Sequence, residues 1–135
     1  MTEDDYRRYV EAFNSRDYDA LMAFFTDDVK LEVAGYAMRG KQGIRDFYKF
    51  FHDYCRETVT LKRFYDSDEA AVADVVIRFE GLKDLTPELL REHATDRMTP
   101  VPKGGVAEVE FFIMYHLTPD GLIHHIRATT FEPAD

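Results

Sequence analysis

His124 and Tyr115 are the side chains of this sequence best suited to moving a proton at neutral pH. An imidazole has an ordinary pKa of about 6.5, so it can both take and give a proton there, and a phenol beside it can orient it. Both residues flank Thr118-Pro119-Asp120-Gly121, a four-residue turn signal between two alternating runs. With the turn at 118–121, Leu117 faces Leu122, Tyr115 faces His124, Ile113 faces Ile126 and Phe111 faces Ala128. The opposite side carries Glu108, Glu110, Phe112, Met114 and His116 with His125, Arg127, Thr129 and Phe131, and is more polar. The first face is therefore expected to look inward, apolar except at Tyr115, His124 and Thr130.

Other groups could share the work. Glu32 becomes a second base if a bulge near Gly35 turns it inward, although simple alternation points it outward. His93, Asp96 and Arg97 fall in a long turn-rich connection and could close over a ligand. Asp74 and Arg78 share the polar side of a strand whose other side is Ala71, Ala73, Val75, Ile77 and Phe79. Desolvating two charges is expensive, so that pair belongs on an outer face or a subunit interface; turned inward, it would suggest epoxide hydrolysis with a relocated acid. His52 lies away from Ile44 and Phe51 on its helix and is expected to be exposed, and Cys55 reads as core. His124 and His125, as strand neighbours, point to opposite faces and no other histidine spacing suits a metal. Phosphate-binding, dinucleotide and nucleophile-elbow motifs are missing, so neither metal nor cofactor is expected.

These residues need elements to hold them. Thr2 with Asp5 forms a capping-box pattern, and Tyr6, Tyr9, Val10 and Phe13 recur at helical spacing to a helix end near Asn14. Asp17 can cap a second, shorter helix with Leu21, Phe24 and Phe25 on one face. A half-buried strand follows at Val29 to Val33, then an irregular loop bounded by Gly35 and Gly40. A third helix from about Lys41 carries the longest apolar stripe: Ile44, Phe47, Tyr48, Phe51, Tyr54 and Cys55. Strands are expected at about 58–66, 70–80, 106–117 and 122–131. Residues 82–105 interrupt them with a short helix from Thr86-Pro87 to about His93, the place for a lid or rim. Helix, helix, strand, helix, then strands describes an α+β layer with an antiparallel sheet.

Composition sets the outer limits. At 135 residues one domain with one core is expected, and 45% hydrophobic with 14% aromatic residues is enough for a packed interior. A net charge of −9 disfavours nucleic acid and anionic membrane surfaces as partners. The acidic, amphipathic start and the lack of any long apolar run point to a soluble cytoplasmic protein, and a single cysteine makes no internal disulfide.

Residues 7–33 (RRYVEAFNSRDYDALMAFFTDDVKLEV), 39–51 (RGKQGIRDFYKFF) and 76–81 (VIRFEG) resemble ketosteroid isomerase and its SnoaL-like relatives in the NTF2-like superfamily. The resemblance implies a cone: a curved, mostly antiparallel sheet wrapped around three N-terminal helices, enclosing one apolar pocket, with the 82–105 segment inserted. It places the isomerase's oxyanion-donating tyrosine on Tyr9 and the tyrosine hydrogen-bonded to it on Tyr48. It also puts Val33 where the isomerase has its base and Ile113 where its oxyanion acid would be. It puts the catalytic histidine and aspartate of the SnoaL-type cyclases on Ile113 and Ala128, and an acid of the limonene epoxide hydrolases on Ala128 as well. One fold hosts many chemistries, so function has to come from the site.

The expected site therefore has Tyr9, Tyr48 and His124 as catalytic groups and Phe13, Val33, Phe51, Phe79, Phe111, Ile113, Tyr115, Ala128 and Thr130 as walls. The expected function is a cofactor-independent lyase, isomerase, dehydratase or cyclase acting by proton transfer on a hydrophobic aromatic or polycyclic substrate. The alternatives are a noncatalytic ligand-binding or dimerisation domain, and an epoxide hydrolase-like enzyme. Phe112, Met114 and Phe131 on the outer sheet face make a homodimer the expected assembly.

Overall fold

The computed structural model describes residues 1–92 and 100–134. Helix α1 (Glu3–Asn14) starts on a reciprocal cap, with Asp5 N–H donating to Thr2 Oγ1 at 3.1 Å and Thr2 N–H to Asp5 Oδ2 at 2.9 Å. Asp17 accepts from the Ala20 N–H at 3.1 Å to open α2 (Tyr18–Met22). Strand β1 (Phe25–Val33) starts four residues earlier than alternation suggests. The expected loop after it contains strand β2 (Tyr36–Arg39), paired antiparallel with β1 across Ala34-Gly35. Ala34 (φ 53°) and Gly35 (φ 81°) both take left-handed conformations, as a tight two-residue hairpin turn requires. Ala34 is a poor residue for that conformation, which hid the turn in the sequence.

Helix α3 (Gly40–Tyr54) runs directly into β3 (Cys55–Asp66), followed by β4 (Ala70–Gly81), short helix α4 (Pro87–Glu92), β5 (Val106–Leu117) and β6 (Ile123–Phe131). The sheet order is β2-β1-β6-β5-β4-β3, with only β1 and β6 parallel, so this is the α+β, mostly antiparallel architecture that the sequence implies. The main core is built where apolar residues recur: Tyr6, Tyr9 and Phe13 of α1 and Ile44 of α3 meet Val29 and Leu31 of β1 and Ala73, Val75 and Ile77 of β4. Among the described residues, no helix is long and apolar enough to cross a membrane.

The β5–β6 hairpin departs from the expected register. Leu117 pairs with Ile123, Tyr115 with Ile126, Ile113 with Ala128 and Phe111 with Thr130, with an irregularity between His116 and Leu117. One extra residue in β6 changes which side chains face in. Ile123 and Ile126 are buried, while His124 between them is exposed.

The inserted stretch after β4 is tied down at both described ends. Leu85 N–H donates to Val101 O at 2.9 Å, and Gly81 exchanges hydrogen bonds of 2.8 Å with Gly104 and Gly105. A side chain at Gly81 has no room, since its Cβ would lie 1.9 Å from the Pro102 carbonyl oxygen. Leu85 and Leu90 pack with Phe51 and Cys55 into a second cluster, touched by Phe47 and Phe79. The described part of the expected lid is thus a buttress with its own small core.

Candidate functional site

Between the helices and the inner sheet face lies a cavity of about 110 Å³. From α1 it receives Tyr6, Tyr9, Val10 and Phe13, and from α3 Phe47 and Tyr48. The sheet contributes Leu31, Val33, Glu57, Val59, Ile77 and Phe79, then Phe111, Ile113, Tyr115, Ile126 and Ala128. Tyr6, Tyr9 and Tyr115 are buried, whereas Phe47, Phe79 and Phe111 are half-buried, so the tyrosines form the deep end and the phenylalanines the mouth.

At the deep end the hydroxyls of Tyr6 and Tyr115 are hydrogen-bonded at 2.8 Å, and the Tyr9 ring meets that of Tyr115 edge-on at 5.4 Å. Tyr48 is not Tyr9's hydrogen-bond partner, contrary to what the resemblance implies; it stacks on His52 at 5.4 Å and meets Phe13 edge-on at 5.3 Å. Burial pushes the Tyr6 phenol up to about 12. Burial, then the neighbouring Tyr48 and Tyr6, hold Tyr9 well above the ordinary phenol value. Tyr115 is raised by burial and then by Tyr6 and Tyr9, and Tyr48 by burial and then by the Glu57 carboxylate. All four remain neutral hydrogen-bond donors at physiological pH.

The polar group facing them is one the sequence reading passed over. Glu57 lines the cavity with its side chain 10% exposed, and its Oε1 lies 3.1 Å from His52 Nε2. His52, expected on the surface, is 2% exposed, and its Nδ1 lies 2.8 Å from the Tyr18 hydroxyl. The helix is covered on two sides, by the sheet and by the α1–α2 hairpin, so a residue off the main apolar stripe is still enclosed. The Nε2–H donates to the Glu57 carboxylate, and Nδ1 shares a hydrogen bond with the Tyr18 hydroxyl, so both ring nitrogens are held. The signal was available in the alternation: Cys55, Glu57 and Val59 sit on one face of β3, but a strand started at residue 58 leaves Glu57 out.

Several expected site residues lie elsewhere. His124 is exposed on the outer side of the sheet, 6.1 Å ring to ring from His116, because the β6 irregularity turns it out; it cannot act in the cavity. Phe51 is buried in the second cluster rather than on the cavity wall, and Thr130, though opposite Phe111, is exposed where the sheet runs past the mouth. Glu32 points outward, to Lys30 at 2.6 Å and His125 at 2.9 Å. Arg78 bonds Glu80 at 2.9 Å and Asp74 interacts with Glu110, both on the outer face, so the inward pair that would indicate an epoxide hydrolase does not form. Tyr9, Phe13, Val33, Tyr48, Phe79, Phe111, Ile113, Tyr115 and Ala128 do line the cavity. His93, Asp96 and Arg97 lie outside the described residues.

Cys55 is buried, which pushes its thiol up to about 12 and leaves it a poor nucleophile. Among the described residues, no group of three or more histidines, cysteines or acids could hold a metal. The outer sheet face carries a separate open groove of about 510 Å³ beside Phe112, Met114 and Arg127.

Residues 6–126 match the family profile described as a SnoaL-like domain. No curated protein matches the chain. Among solved structures, a candidate polyketide cyclase from Silicibacter sp. TM1040 shares 22% identity at a TM-score of 0.75, over 95% of this chain and 87% of that one. A second, from Pseudomonas putida KT2440, shares 19% at 0.75, over 92% and 86%. A Mycobacterium tuberculosis protein in complex with estradiol-17beta-hemisuccinate shares 19% at 0.67, over 91% and 88%. At these identities the likeness is one of fold.

Proposed function

The chain belongs to the SnoaL-like domain family, and on that premise we propose that it is a cofactor-independent enzyme that moves a proton on a small, largely hydrophobic carbonyl compound. The observation that carries this reading is the convergence of one carboxylate, Glu57, with the neutral phenols of Tyr9, Tyr48 and Tyr115 on one apolar cavity. Glu57 takes the proton from the carbon next to the carbonyl, in the place first given to His124. Tyr9 and Tyr48 donate hydrogen bonds to the oxygen as it gains charge, with Tyr115 behind Tyr9. His52 and Tyr18 are positioning residues that fix the carboxylate.

A cavity of about 110 Å³ suits a single ring better than a fused ring system; an engineered cavity of roughly 150 Å³ takes one benzene. Cyclohexanone in D₂O is accordingly a suitable test compound, with loss of its α-proton signal followed by NMR. The wild-type protein should accelerate exchange, Glu57→Gln should slow it by at least ~100-fold and Tyr9→Phe by at least ~10-fold. Exchange no faster than in buffer, or undiminished in Glu57→Gln, would remove the catalytic reading and leave ligand binding.

A second copy of this chain is the proposed partner. Phe112 and Phe131 are 39% and 45% exposed, with rings 5.6 Å apart and tilted by 41° on the outer face, an apolar pair suited to burial against its own counterpart. Sedimentation velocity should give a dimer that Phe112→Glu dissociates; a monomer at tens of micromolar would refute it.

A further inference from the structure

Among the described residues that line the cavity, Glu57 is the charged side chain, and none is a lysine, arginine or histidine. Buried carboxylates ordinarily have a cationic partner, because leaving one without a counter-charge is costly. The Tyr18–His52 row meets Glu57 Oε1 from behind the cavity wall, with His52 Nε2 3.1 Å away. Neither Tyr18 nor His52 lines the cavity, so on its cavity side the carboxylate is open to a ligand's charge. Arg16 and Arg45 lie near Tyr18, and neither lines the cavity.

The rest of the wall suits a positive charge. Tyr9, Phe13, Phe47, Tyr48, Phe79 and Phe111 enclose the space with aromatic rings, whose faces are electronegative and attract cations. A net charge of −9 raises the local concentration of cations around the whole chain. An anionic ligand would meet a carboxylate in an apolar enclosure, and a neutral one would gain at most a hydrogen bond from it.

We propose that the ligand of this cavity is an organic cation: a protonated amine on an apolar body about the size of one six-membered ring, its ammonium group against Glu57 and its hydrocarbon part among the rings. This rests on the reading that the cavity is the ligand site, and not on the proton transfer proposed there. A carbonyl compound bearing such an amine satisfies both.

Three probes with the same ring and different charge test it: cyclohexylammonium, cyclohexanol and cyclohexanecarboxylate, titrated at pH 7 into the isotopically labelled full chain and followed by NMR. Cyclohexylammonium should shift the resonances of Tyr9, Phe79 and Phe111 and bind at least ~10-fold more tightly than cyclohexanol, with no shift from the carboxylate. In Glu57→Gln that advantage should fall to about twofold or less. The comparison within the unaltered protein stands even if the variant fails to fold. Equal or tighter binding of cyclohexanol would overturn the charge preference while keeping the cavity as a ligand site. An undiminished preference in Glu57→Gln would mean that the cation is held elsewhere. If none of the three moves a cavity resonance, the site itself falls, and the cation with it.

Discussion

Raising the pH from 9 to above 12 should unfold this protein cooperatively, with tyrosinate absorbance appearing in step with the loss of circular dichroism. The Tyr6 phenol is held at about 12 in the folded chain, against an ordinary value of 10, because its ionised form would have to exist without water. A group raised in this way stabilises the fold fully below pH 10, where both states hold the proton. Between about 10 and 12 the unfolded chain gives up a proton that the folded one must keep, and the contribution is lost. At Tyr6 alone the two-unit difference corresponds to roughly 3 kcal/mol. Tyr9, Tyr48 and Tyr115 are raised further in the same direction, so together they can exhaust a typical stability of about 5–15 kcal/mol. A smooth titration of all eight tyrosines near pH 10 in a chain that stays folded would contradict the buried cluster.

His52→Ala should be the more damaging of two substitutions behind the cavity. It removes the hydrogen-bond donor at 3.1 Å from Glu57 and leaves a nearly buried carboxylate without a partner, at a cost of about 3–5 kcal/mol. It also removes the ring on which Tyr48 stacks. Tyr18→Phe leaves only the His52 Nδ1 unsatisfied and should cost about 1–3 kcal/mol. Adding Glu57→Gln to His52→Ala should restore part of the stability, because the stranded group then carries no charge. Urea unfolding curves decide between these outcomes. A His52→Ala cost below about 1 kcal/mol would show that water reaches Glu57 freely.

The parts of this fold that follow a simple period were legible from the residues alone. The Thr2–Asp5 cap and the spacing of Tyr6, Tyr9 and Phe13 define α1, and strict alternation from Ala71 to Phe79 gives the inner face of β4. Breaks of period were not legible. The hairpin turn at Ala34-Gly35 uses a residue with no turn preference, and the irregularity in β6 reverses His124 without any glycine to mark it. The site suffered most where elements meet. His52 looks exposed on a helical wheel that considers one neighbour, but its helix has two. Glu57 sits three residues past the end of α3, where strand and helix patterns overlap and neither claims it. Both are polar residues in buried places, and a rule that sends charges to the surface misses them by construction.

Phe47 and Phe79 belong to the packing of both hydrophobic clusters, the one around the tyrosines and the one beneath the inserted segment. Their rings form the cavity mouth, while Leu85 and Leu90 of the insertion lie in the cluster behind them. The width of the entrance is therefore governed from outside the reactive end, by a stretch of chain whose described residues contribute no reacting group. Lengthening or repacking that stretch offers a way to change what is admitted while the tyrosines and Glu57 stay as they are, so selection by size and choice of chemistry can diverge independently within one small scaffold.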